Sequence, residues 1–147
     1  MRTFVWPGHA YLPGITPRHP EGLFDALRDT VSEGMSAEEL ENSDAWLSGQ
    51  GYYRAGFFWE AHEVWEPVWM ALPPKSVERL VAQAAIQLAN AGLKLRMEKP
   101  KAALRLCDEV EAFVFGLKGE TLGLSMQWFA DQVDEIRKEA GGEPATP

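Results

Sequence analysis

The chain has 147 residues, 46% of them apolar and 24% charged, and its 14 basic against 22 acidic side chains give a formal charge of −8. A chain of this size buries roughly two thirds of its unfolded surface as one domain without metal or disulfide. Its lone cysteine, Cys107, excludes an internal disulfide and any multi-cysteine metal centre. The acid excess and the absence of Lys or Arg runs exclude a phosphate-tracking surface for nucleic acid. No apolar run is long enough for a membrane span, and the N-terminus lacks the apolar core of a secretion signal, so a cytoplasmic protein is predicted.

Pro7, Gly8, Pro13, Gly14, Pro17 and Pro20 make the first 20 residues unfit for a helix or a central strand. An irregular arm over 1–20 is predicted, held against the body by Phe4, Trp6, Tyr11, Leu12 and Ile15. Pro20 suits a first helical position, and Leu23, Phe24, Leu27 and Val31 follow at helical spacing, which predicts a short helix to about Ser32. Ser36 and Glu39 form a capping box that opens a second helix, expected to end near Gly49 or Gly51. Tyr52 to Leu72 reads as a longer helix, stopped by Pro73-Pro74.

From Ser76 to Lys99 the pattern is helical and poor in charge, as befits a central helix, and Pro100 ends it. Ala103, Leu106, Cys107, Val110, Phe113, Val114 and Leu117 mark an amphipathic helix closing near Gly116 to Gly119. Met126, Phe129, Val133, Ile136 and Ala140 form the stripe of a last helix behind a Ser125 cap, with Asp131, Asp134, Glu135 and Lys138 on its wet side. No period-two alternation is long enough for a sheet. The predicted fold is all-α: a single compact bundle of five or six helices over 21–142, with a flexible tail at 143–147.

Two helices carry polar residues where packing alone would not place them. Gln83, Gln87, Asn90 and Lys94 fall within an arc of about 60°, bordered by apolar residues on both sides, so this band is not expected to face open water. On the preceding helix, Trp59-Glu60-Ala61-His62-Glu63-Val64-Trp65-Glu66 puts His62, Glu63 and Glu66 within about 100°, with Glu60 further round. Trp59 and Met70 share that arc, and Phe58, Trp65 and Trp69 border it; among such aromatics two carboxylates one turn apart should not both ionise easily. Pro67 leaves the Glu63 carbonyl without its helical donor.

The functional expectation is a polar pocket between these two helices that binds a small polar or cationic ligand. If it is catalytic, Glu63 or Glu66 is the general base for hydrolysis or proton transfer, and His62 orients it or shuttles a proton. Gln83, Gln87, Asn90 and Lys94, with Glu60, Trp59 and Trp69, are the ligand-binding set. The competing reading is a satisfied hydrogen-bond network in an interaction module or homo-oligomer, with Leu122, Leu124 and the final helix as a partner surface. His62 and Glu66 have bidentate spacing for a metal, and His9 or His19 of the arm could fold back to complete a site, but a lone surface or core histidine is the commoner fate and neither metal nor cofactor is predicted. Cys107, on an inward stripe, reads as an inert buried thiol.

The stretch YRAGFFWEAHEVWEPVW, followed by QAAIQLANAGLKL, resembles the small helical prokaryotic family called domain of unknown function 309. The resemblance spans about residues 50–117, and the YLPGITPRHP arm is similar to the leader of some members. Gly56, Glu60, His62, Glu63, Glu66 and Trp69 match the first motif, and Gln83 and Gln87 the second. Arg54, Ala84 and Lys99-Pro100 depart from it, standing where Asn, Gly and a Gly-Asn turn are common. The resemblance implies an all-α fold and a shared site between the two helices, and no particular reaction.

Overall fold

The computed structural model describes residues 4–141, so the tail expected at 143–147 lies outside the described residues. Seven helical segments occur among them, six longer than four residues, together with one two-stranded hairpin. They are α1 (Asp25–Arg28), α2 (Ala37–Glu41), α3 (Asp44–Arg54), α4 (Phe58–Ala71), α5 (Val77–Arg96), α6 (Pro100–Val114), β1 (Glu120–Thr121), β2 (Leu124–Ser125) and α7 (Met126–Gly141). The all-α expectation holds. No helix among the described residues is long and apolar enough to cross a membrane.

The front third departs from the predicted boundaries, for local reasons. Pro20 does not start a helix: residues 21–24 form turns, with Gly22 in the left-handed region at φ +79°, and only one helical turn follows. The capping box at Ser36 is present in both directions, yet α2 stops at Glu41 because Ser43 caps a fresh helix, its hydroxyl accepting from the Trp46 N–H at 3.2 Å. That helix runs straight through Gly49 and Gly51. Gly49 belongs there because any Cβ would overlap the Trp65 indole. The predicted 52–72 helix is two: Gly56 at φ +86° ends α3, and α4 begins at Phe58.

From α4 onward the expected elements appear. Each helix from α3 to α7 packs on its neighbour in sequence, and α7 returns against α5, which makes α5 the central rod. Leu88, Ala84, Ala85 and Ala91 of α5 are fully buried, as are Val64, Trp65 and Val68 of α4. Gly92 lets α4 approach closely, since a Cβ there would sit 2.7 Å from the Phe58 ring. Pro100 is a first-turn residue of α6, and the Ser125 hydroxyl accepts from the Trp128 N–H at 3.0 Å. The strands are two residues each, too short for any alternation to register. Leu122 and Leu124, expected as partner surface, are buried at 3% and 6% exposure, because the Leu122 carbonyl is tied to α3 by the Trp46 indole N–H at 2.7 Å.

In the arm, Tyr11 and Leu12 are half-buried as expected, whereas Phe4, Trp6 and Ile15 remain more than half exposed. The Phe4 and Trp6 rings still touch the body, at 5.6 Å from Tyr52 and 5.4 Å from Phe57 respectively.

Candidate functional site

Glu60 sits in the first turn of α4 and is fully buried. A carboxylate removed from water must find donors or lose its charge. Both donors come from the arm: the Tyr11 backbone N–H and the His19 Nε2 approach the same oxygen, Oε2, at 2.7 and 2.5 Å. The His19 ring is itself only 5% exposed. The arm can hold these groups in place because it folds on itself. The Thr16 hydroxyl accepts from the Leu12 N–H at 2.7 Å and donates to the Ala10 carbonyl at 2.9 Å. His9 stacks at 4.7 Å on His19. The second carboxylate oxygen, Glu60 Oε1, is buried and has no hydrogen-bond partner among the described residues.

One turn on, Arg28 of α1 closes over Glu63 and Glu66. Its Nη1 donates to the Glu63 carboxylate at 2.9 Å, and its Nη2 lies 3.8 Å from Glu66. The same Nη1 donates to the Glu63 backbone carbonyl, the group that Pro67 deprives of its helical N–H. A side chain 35 positions away thus supplies the missing donor. Glu66 also approaches His62, Nε2 to Oε2 at 3.5 Å, so the acidic arc is joined through salt bridges at a half-exposed surface.

The amides of α5 take no part in this. Gln83, Gln87, Asn90 and Lys94 are half-buried, and Asn90 donates to Gln87 at 3.0 Å. Among the described residues, none of these four hydrogen-bonds an acid of α4. Trp69 and Gln83, one from each helix, line a common groove, where Arg79 stacks 4.3 Å over the Trp69 ring. Trp69 Nε1 and His62 Nδ1, two turns apart on one side of α4, are buried without partners among the described residues. The predicted residues therefore form two groups, Glu60, Glu63, Glu66 and His62 with the arm and α1, and Trp69 with Gln83 toward α5.

Beside the first group lies a cleft of about 710 Å³ between the arm, α1 and α4. Tyr11, His19, Phe24 and Trp59 line it with aromatic rings, Trp59 standing 5.0 Å from Tyr11 and 6.2 Å from Phe24. Arg28 and Glu63 form one side, and Glu21, Asp25 and Arg18 the rim. The Arg18 guanidinium, hydrogen-bonded to the Tyr11 hydroxyl, is held above its ordinary range by that bond. No three His, Cys, Asp or Glu side chains among the described residues are grouped to hold a metal ion. Tyr11 and Arg28 are the residues missed by reading the sequence, and His19, weighed there only as an arm histidine that could fold back to a metal site, meets Glu60 instead; the donor-less carbonyl at Glu63 was the one signal that something must come from outside α4.

No curated protein and no solved structure matches the chain. A family model described as "Domain of unknown function (DUF309)" matches residues 46–106, which run from α3 into α6 and include the α4 acids and the α5 amides. That stretch matches the family its two motifs resemble.

Proposed function

We propose that the cleft between the arm, α1 and α4 binds a small polar ligand carrying a cationic group. The observation that carries this reading is the fully buried Glu60–His19 pair behind the cleft wall, with Glu60 Oε1 unused. A buried carboxylate–imidazole contact is a poor way to stabilise a fold, so one set into the wall of a cleft is better accounted for by what it does there. Tyr11 and His19 both touch Glu60 and line the cleft. Aromatic faces and the carboxylates of Glu21 and Asp25 favour a cation, since Arg28 is matched by Glu63 and Glu66. The chemistry open to the pair is proton transfer, with His19 as acceptor and Glu60 positioning its ring. The lone cysteine and the acid excess fit a reducing cytoplasm.

Amide and indole NMR of the labelled protein tests this with choline, methylamine and acetate as probes. Choline or methylamine is expected to shift the Trp59 indole resonance saturably, and Trp59→Leu to abolish the effects on neighbouring amides. Shifts with acetate alone, or the same response in Trp59→Leu, would contradict the reading.

A second reading, a structural network in an interaction module or homo-oligomer, is favoured by the pairing of Glu63 and Glu66 with Arg28. The double variant Glu63→Gln/Glu66→Gln keeps the Glu63 carbonyl bond and removes both charges. A loss of about 2 kcal/mol or more in urea denaturation supports the network. Unchanged or raised stability supports the ligand site, since binding groups are commonly held at a cost to the fold.

A further inference from the structure

A second cleft, of about 500 Å³, opens on the other side of the molecule between the end of α3, α5 and α7. Its floor is aromatic: Tyr53 packs edge-on against Phe58 and Trp128, at 5.3 and 5.4 Å, and its hydroxyl donates to Gln132 at 2.9 Å. Two glycines shape it. Gly92 allows the Phe58 ring to lie against α5, and Gly56 turns the chain beside the Arg96 guanidinium, to which a Cβ would come within 3.4 Å. Arg96 lies over the Phe58 face at 5.5 Å, and Arg54 stands just before the Gly56 turn.

Across from these arginines, α7 presents Glu135 and Glu139, one turn apart and both exposed. Burial raises the Tyr53 phenol, and both carboxylates add to the rise, which places them within electrostatic reach of the floor. Among the described residues none of the four charges has an opposite charge within 4.0 Å, whereas Arg28 and Arg137 each hold carboxylates. The cleft is therefore lined by basic side chains from the end of α3 and from α5 and by acidic ones from α7, with no ion pair joining them among the described residues. Like charges on one wall are mildly unfavourable alone, and a guest that carries both charges would satisfy both walls.

We infer that this cleft binds a small dipolar molecule of the ω-amino acid type, its anionic end taken by Arg54 and Arg96 and its ammonium end by Glu135 and Glu139. The apolar middle lies on Phe58 and Trp128. The site is independent of the cleft beside His19 and shares no residue with it.

The test is NMR titration, followed at the Trp128 indole, with 4-aminobutyrate, 6-aminohexanoate and 8-aminooctanoate, each beside the amine and the carboxylate of matching length. At least one amino acid is expected to saturate with a dissociation constant tenfold or more below both single-charge relatives. Arg54→Met/Arg96→Met is expected to bring it to the level of the amine, and Glu135→Gln/Glu139→Gln to that of the carboxylate, with urea midpoints near wild type confirming the fold. No saturable shift with any chain length, equal affinity of all three compounds in a set, or an advantage that survives both double variants overturns the proposal.

Discussion

The two flanks of α4 beside its buried stripe are finished in different ways. The flank bearing Glu60 and Glu63 is closed by ionic and hydrogen-bonding side chains from Tyr11, His19 and Arg28, all of which precede the family-matched segment at 46–106. The flank bearing Trp69 meets α5 within that segment, through an exposed groove and a cation–π stack, and leaves the Trp69 indole nitrogen buried without a partner among the described residues. The helix pair supplies the acids, and the arm decides what surrounds them. The acids stand beside a cleft whose other wall is an irregular segment, whereas Trp69 meets α5 at a groove.

Breaking the arm side should have the largest effect. His19→Ala leaves Glu60 buried with the Tyr11 N–H alone and is expected to cost about 3–5 kcal/mol in urea denaturation. The close approach of α4 and α5 sharpens the other side of the comparison: Gly92→Ala forces a methyl to 2.7 Å from Phe58 and should cost about 1–3 kcal/mol by the same measurement. Arg28→Met removes the donor that serves the Glu63 carbonyl beside Pro67 and should cost about 1–3 kcal/mol, with hydrogen exchange accelerating first in the middle of α4.

Alkaline pH weakens the common core rather than either flank. Burial pushes the Cys107 thiol from 9.0 up to about 11 and the Tyr52 phenol from 10.0 to about 12. An acid whose folded value lies above its unfolded one holds more protons in the native state, so its contribution is complete at neutral pH and declines as the pH rises. The urea midpoint should fall between about pH 9 and 12, and Cys107→Ala should flatten the early part of that fall. The smallest effect is expected at α6 and α7, where Arg137 bridges Asp108 and Glu111 at 2.7 Å on the surface. Arg137→Met should cost less than about 1 kcal/mol, and less still in 1 M salt.

What could be read from the sequence was what short spacing controls. The caps at Ser36 and Ser125, the amphipathic stripes of α6 and α7, and the centrality of α5 follow from neighbours within one or two turns. The breaks at Asn42-Ser43 and at Gly56 were missed because apolar spacing continues across them while the backbone does not. For the site, the donor-less Glu63 carbonyl has a local signal; the burial of Glu60 has none, and neither do the partners of these groups: Tyr11, His19 and Arg28 lie 49, 41 and 35 positions away, and only the folded arm and α1 reveal them. The amides at Gln83 and Gln87 showed that a polar band was half-buried, though its helical period says nothing about which neighbour it meets.

The central claim, that the acidic flank of α4 is completed by the arm, is tested most directly by a double-mutant cycle on His19→Ala and Glu60→Gln, read as urea-denaturation free energies. Glu60→Gln keeps an acceptor for Tyr11 while removing the charge. A coupling of about 2 kcal/mol or more is expected. A coupling below about 0.5 kcal/mol, with the two losses simply adding, would mean that the arm and α4 are not joined through this pair.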